Sequence, residues 1–206
     1  FDKIQIKKEP GKRMFLNKDQ IQAFKDLKVS QNSKAPVIKD MFLFSVYAGG
    51  LRLSDVLELQ WEHINLKENR ITKTIRKTGR FHSFKIGQVA IDILNKYKDE
   101  GHEESDFVFP MLENNTPFFE NRLYANAEIE RCTSLCSLHL KNIGKALKLP
   151  FNLSFHLSRH TFATNALNNG MRIEHVSKLM DHSDIGTTQI YAKIISQELD
   201  DAVDKF

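Results

Sequence analysis

Cysteine is nearly absent from the 206-residue chain; Cys132 and Cys136 are the two it has. Two thiols cannot make the disulfide framework of a small secreted domain, so a reducing compartment is expected, with the cytoplasm as default. Glycine and proline are sparse as well, with nine and five residues. No stretch is rich enough in either to read as a linker, and no repeat or low-complexity segment is present, so one domain is expected. A long hydrophobic run is also missing. The densest apolar stretch, Met41 to Ala48, is interrupted by Ser45 and falls far short of the roughly 20 residues that cross a bilayer. The chain starts at Phe1, and its opening FDKIQIKKEPGKR has no signal-peptide pattern. The expectation is a piece of a longer protein.

What is present is ordinary for a soluble globular chain: 41% hydrophobic and 27% charged residues. At this length folding buries roughly 70% of the unfolded surface, enough for a core without disulfides or metals. The net charge is only +4, but it is unevenly spread. Between Lys67 and Lys85 seven bases (Lys67, Arg70, Lys73, Arg76, Lys77, Arg80, Lys85) face the single acid Glu68, a local charge of +6. Glu198 to Phe206, by contrast, has four acids and one lysine. A basic stripe is an electrostatic footprint for a polyanion. A solvated charged hairpin explains the same run equally well.

Apolar spacing predicts helices over about 15–27, 37–48, 88–97, 122–147, 158–168, 173–180 and 184–196. Pro36 suits the first turn of the second, Gly49-Gly50 its end, and Ser54 is placed to cap a short third helix with Asp55 in its first turn. Between Trp61 and Gln88 the pattern changes to alternation. His63–Leu66, Arg70–Arg76 and Arg80–Ile86 read as three antiparallel strands, with turns at Asn69 and Thr78-Gly79. The fold class expected is α+β, mostly α-helical: a helical bundle with a small three-stranded antiparallel sheet. Cys132 and Cys136 fall on the apolar stripe of the long helix. Zinc would need further ligands at suitable spacing, so the cysteines read as core.

Several residues invite a chemical reading that none sustains alone. His156 and Arg159, three apart, share a face at the start of a helix and can reach one anion, but a capping histidine or a surface ion pair has the same spacing. Arg52 follows Gly49-Gly50-Leu51 in a tight turn, where an arginine commonly braces structure. Tyr191 lies on the last helix, nine residues after His182, and a lone helical tyrosine commonly packs.

Taken together they carry a resemblance. Ala48-Gly49-Gly50-Leu51-Arg52-Leu53-Ser54-Asp55, leading to Leu59-Gln60-Trp61-Glu62-His63-Ile64, resembles the first box of the tyrosine recombinases, the phage integrase family. The run from His156 to Thr164 resembles its second box. Leu179 to Tyr191 looks like the segment carrying the nucleophile, and Arg76-Lys77-Thr78-Gly79-Arg80 like the β-turn lysine motif. The resemblance covers about Phe15 to Ile195. It departs at Ser158, where an apolar residue is usual, and at Met180-Asp181, which replaces Leu-Gly before the histidine.

The resemblance implies a catalytic domain over 1–206, with a compact core at about 15–196. It also implies a carboxy-terminal tail, 197–206, exchanged between subunits, and an amino-terminal DNA-binding domain outside this chain; a frayed tail is the plainer reading of 197–206. It implies a site-specific recombinase, an integrase of a bacterial mobile element, that cuts and rejoins double-stranded DNA through a 3′-phosphotyrosyl link without ATP, metal or other cofactor. Arg52 and Arg159 would hold the phosphate, since guanidinium forks stay charged and bind it bidentately. His156 and His182 would bond the same oxygens, with His156 taking the phenol proton. Tyr191 would attack, and Lys77 would protonate the leaving 5′-oxygen. Lys73, Arg76 and Arg80 would track DNA phosphates. Further subunits in a tetramer and DNA-bending accessory proteins are the implied partners, no membrane among them, and the bacterial cytoplasm at the nucleoid is the implied location. Alternatives are a chromosome-dimer resolvase, a type IB topoisomerase-like enzyme, or a DNA-binding module without catalysis.

Overall fold

The computed structural model describes residues 14–204, with side chains left aside for 197–202. Its elements run α1 (Lys18–Asp26), α2 (Ala35–Tyr47), α3 (Leu53–Leu57), β1 (Ile64–Asn65), β2 (Arg70–Thr74), β3 (Phe81–Lys85), α4 (Gln88–Asn95), α5 (Arg122–Ala146), α6 (His156–Asn168), α7 (Ile173–Leu179) and α8 (Gly186–Val203). The expected mostly helical α+β class is met, with one antiparallel sheet in the order β1-β2-β3.

Local chemistry accounts for most boundaries. Asn17 closes a capping box on α1: its side chain accepts from the Gln20 amide at 2.9 Å, and the Gln20 side chain accepts from the Asn17 amide at 3.0 Å. Pro36 sits in the first turn of α2 as expected. α3 departs from expectation. Its cap is Arg52, in extended conformation, and no side chain caps it, so Ser54 is already inside the helix. The sheet turns where expected, with Asn69 at φ 52° and Gly79 at φ 66°, and β2 pairs with β3 through Ile71↔Phe84 and Lys73↔His82.

α2 is apolar nearly all round because it is the centre of the molecule: Ile38, Met41, Phe42 and Phe44 are fully buried. It packs against α4, α5 and α6. Cys132 and Cys136 are buried on α5, as the stripe predicted, and burial pushes the Cys136 thiol up to about 12. A second, smaller apolar cluster joins Phe162, Ala163 and Ala166 of α6 to Val176, Met180 and Tyr191. The last helix continues to Val203, so most of the stretch expected as a tail is helical; residues 205 and 206 lie outside the described residues. Among the described residues no helix is long and apolar enough to cross a membrane.

Candidate active site

The site forms where three chain turns meet: the α2–α3 turn, the start of α6, and the α7–α8 turn. Gly49 and Gly50 make the first possible. Both have positive φ, 70° and 68°, which glycine adopts without strain. A Cβ at Gly49 would also stand 3.3 Å from the Leu179 carbonyl and from the Phe84 ring, and one at Gly50 would stand 3.0 Å from the Phe162 ring. The pair therefore lets the sheet, α6 and the end of α7 close on one point.

Arg159 ties these turns together. Its guanidinium is buried; Nη1 donates to the Gly50 carbonyl, and Nη2 donates to the Met180 carbonyl at 2.8 Å and lies 3.2 Å from His182 Nε2. Burial, with Arg52 adding repulsion, lowers its pKa to about 10, still charged at neutral pH. Arginine only donates, so His182 Nε2 is the acceptor in that contact, and the other ring nitrogen, Nδ1, lies 2.8 Å from Thr188 Oγ1. His182 is thus oriented from both sides.

Arg52 is one-fifth exposed at the side chain and lies between two carboxylates, 4.0 Å from Asp55 and 4.0 Å from Asp181. Asp55 is fully buried. Its Oδ1 accepts from the Arg76 amide at 3.0 Å, and its backbone carbonyl accepts from Lys73 Nζ at 2.8 Å. Desolvation lowers the Lys73 pKa, with the Asp55 charge opposing.

This corrects the reading of Lys73 as a DNA contact: it is 3% exposed and belongs to the floor of the site. Arg76 pairs with Glu58 and with Asn126, while its side chain keeps 30% exposure. Arg80 is more open, at 54%, 3.8 Å from Asp181. Lys77 is exposed in the β2–β3 turn, one residue before Thr78, whose hydroxyl donates to Asp181 at 2.6 Å.

Tyr191 is buried among the small cluster, its hydroxyl 2.8 Å from His160 Nδ1. His156 is exposed, and its ring stands edge-on to that of His160 with centroids 4.5 Å apart. Ser158, one of the departures from the resemblance, is buried; its Oγ lies 2.7 Å from the Phe155 carbonyl and 2.7 Å from Ser45 Oγ, which in turn lies 2.7 Å from the Leu51 carbonyl, so one hydroxyl proton bridges the two serines and the other goes to a backbone carbonyl. A small polar pair thus ties α6 to α2 and the Arg52 turn where an apolar contact would otherwise serve.

Arg52, Arg159, His182 and Tyr191, far apart in the chain, are gathered around turns that a phosphate-binding enzyme would place together. Residues 14–198 match the phage integrase family over most of the chain. The chain belongs to the phage integrase family. Among integrase-family relatives, the tyrosine recombinase XerD of Pseudomonas aeruginosa is 31% identical over 172 residues, 80% of this chain and 52% of the relative. The tyrosine recombinase XerA of Pyrococcus horikoshii is 26% identical over 165 residues, 80% and 53% respectively. The chain spans about half the length of the curated relatives it matches. Two solved structures share the integrase-family fold. One is the XerA recombinase (TM-score 0.64, 20% identity, 94% of this chain and 66% of that one). The other is the catalytic domain of bacteriophage HP1 integrase (TM-score 0.56, 21% identity, 92% and 93%).

Three residues of this integrase-family site escaped the sequence reading in the roles they occupy. Asp55, read as a helix-dipole acid, is the counter-ion beneath Arg52 and Lys73; the i,i+3 spacing from Arg52 was the available signal. His160, beside Arg159, is the partner of the tyrosine. Asp181, noted only as a departure, reaches both Arg52 and the hairpin, which no spacing announces.

Proposed function

We propose that this chain is the catalytic part of a site-specific DNA recombinase that breaks and rejoins DNA through a 3′-phosphotyrosyl intermediate. The observation that carries the reading is the convergence of Arg159, Arg52 and His182 on turns next to the buried Tyr191. Two guanidinium groups suit the non-bridging oxygens of a phosphodiester, whose charge rises as the nucleophile attacks. Tyr191 Oη bonds to phosphorus, the P–O5′ bond breaks, and Lys77 gives its proton to the departing oxygen. His160 stands in place to receive the phenol proton, the task expected of His156. The phosphotyrosyl bond keeps the diester's energy, so the freed 5′-hydroxyl of another strand can reverse the attack without ATP.

The substrate we infer is double-stranded DNA, met by the exposed basic turn with Lys77 and Arg80. The Tn1549 transposon integrase, whose structure in complex with a circular intermediate DNA shares this fold at a TM-score of 0.61 and 19% identity, agrees with an integrase of a bacterial mobile element. The match to relatives named tyrosine recombinases fits a chromosome-dimer resolvase equally well, and the test between the two is whether the protein recombines the ends of its own element or a chromosomal site. Assembly with further copies on DNA, exchange of the segment after 196, and work beside DNA-bending proteins in the bacterial cytoplasm complete the proposal.

The catalytic reading is tested by incubating the protein with nicked suicide duplexes and quenching in detergent. A DNA-linked protein band is expected for the parent and none for Tyr191→Phe, with DNA binding within about threefold of parent, since a hydroxyl adds little to phosphate contacts. Undiminished cutting by Tyr191→Phe contradicts the assignment.

A further inference from the structure

We propose that Asp181 is a positioning residue that clamps the β2–β3 hairpin to the catalytic turn and so sets Lys77 at the leaving oxygen. The inference rests on the reading of Lys77 as proton donor and adds to it the device that places the donor. Lys77 lies in an exposed turn, and a flexible lysine there has no geometry of its own. Proton transfer needs heavy atoms within about 3 Å, and a misplacement of about 1 Å can cost on the order of 100-fold in rate. Something must hold the turn.

The side of the turn before Lys77 is held by Arg76, whose amide donates to Asp55 and whose side chain pairs with Glu58; the contacts on the side after Lys77 converge on Asp181. Its carboxylate accepts from Thr78 Oγ1, the residue following Lys77, at 2.6 Å, and lies 3.8 Å from Arg80 on the far side of the same turn. It is also 4.0 Å from Arg52, so one side chain spans the proton donor's turn and a phosphate-binding arginine. It is 9% exposed at the side chain, which strengthens such charge-assisted contacts relative to a solvated pair. Its backbone is held in the left-handed region, φ 50°, by a turn whose neighbours are tied down: the Met180 carbonyl accepts from Arg159, and the His182 amide donates to the Ser177 carbonyl at 3.0 Å. The left-handed region is uncommon for a non-glycine residue, and the side chain held there makes the bridge. A second contact runs parallel to it, His82 Nε2 to the Leu179 carbonyl at 3.0 Å, but that one holds the base of the hairpin rather than its tip.

The test compares single-turnover cleavage of two duplexes, one with an ordinary phosphodiester and one with sulfur replacing the bridging 5′-oxygen. A thiol has a pKa of about 8.5 and leaves as the anion without a proton donor. Asp181→Gly removes the carboxylate and, because glycine accepts positive φ, keeps the turn. It should cleave the ordinary duplex about 10- to 100-fold more slowly and the sulfur duplex at the parental rate. Thr78→Val should do the same, the double variant should be no slower than either alone within about twofold, and Asp181→Asn, which keeps an oxygen acceptor for Thr78, should recover most of the loss. Equal losses on both duplexes would show Asp181 acting through Arg52 or the turn, and an unchanged or faster rate would show its carboxylate competing with phosphate; either overturns the proposal. Lys77→Ala is run beside them: if sulfur does not restore its rate, the proton-donor reading itself fails, and the positioning role falls for that separate reason.

Discussion

The large core and the small one hold different halves of the site. Arg52, Asp55 and Lys73 stand over the large core, next to fully buried Val56, Leu57 and Ile71. Tyr191 belongs to the small cluster, whose buried members among the described residues are five others of α6 and the α7–α8 region. The turn that carries Arg52 thus rests on an extensive apolar floor, whereas Tyr191, the proposed nucleophile, rests on a narrow one, supplemented by polar contacts such as His160–Tyr191 and His182–Thr188. Local stability follows buried apolar contact. Under the proposed mechanism, the half of the site that would give way for DNA to reach a tyrosine only 2% exposed is the half with less apolar surface holding it.

This contrast can be broken most forcefully from the large side. Phe42→Ala, at a fully buried ring packed against Phe24 and Phe155, should cost about 3–5 kcal/mol in chemical denaturation and abolish DNA cleavage with the fold. A loss under about 1 kcal/mol would show the large core to be less tightly packed than described. From the small side, Met180→Ala should cost about 2 kcal/mol, the low end for such truncations, because the site has fewer neighbours to leave a rigid cavity. Native-state hydrogen exchange sharpens the same point: α8 amides should open at a lower free energy than α2 amides in the parent, and equal protection would remove the distinction.

Acid probes the edge of the large region. The His63 Nδ1 accepts from the Gln60 amide at 3.0 Å, and burial, with Lys73 adding repulsion, lowers its pKa from 6.5 to about 4. The unfolded chain then binds the proton first as pH falls. Stability from this group is complete above pH 6.5 and is lost as pH drops towards 4, by an amount on the order of 2 kcal/mol. His63→Gln should flatten the stability–pH curve over that window; an unchanged curve would exclude His63 as its source. The smallest effect separates the two faces of the hairpin. Arg80→Ala should reduce the slope of log affinity against log salt by about one, while Lys73→Met, on the buried face, should leave the slope unchanged. A lowered slope for Lys73→Met would return that lysine to the DNA surface.

The fold was legible wherever a single periodicity governed a segment. α5 and the sheet are apparent because their apolar positions repeat at three to four or at two, and α2 because its apolar run is bounded by Pro36 and Gly49-Gly50. The burial of Lys73 is legible too, because alternation puts it on the same face as Ile71 and Ile75, which are both buried. What could not be read depends on contacts between distant turns. Arg159 meeting the Gly50 and Met180 carbonyls, Asp181 meeting Thr78, and His160 meeting Tyr191 are set by how helices pack, which no local pattern carries. The irregular stretch between α4 and α5 escaped for the same reason: it is secured by long-range pairings such as the Trp61 amide to the Asp106 carbonyl at 3.2 Å and the Val108 amide to the Leu59 carbonyl at 2.8 Å.

The most direct measurement is to trap the covalent complex on a suicide duplex, digest it, and locate the nucleotide-bearing peptide by mass spectrometry. The expected adduct is on Tyr191, joined to the 3′-phosphate of the cut strand with a free 5′-hydroxyl opposite. An adduct on any other residue, or a link to the 5′ end, would contradict the mechanism assigned to this site.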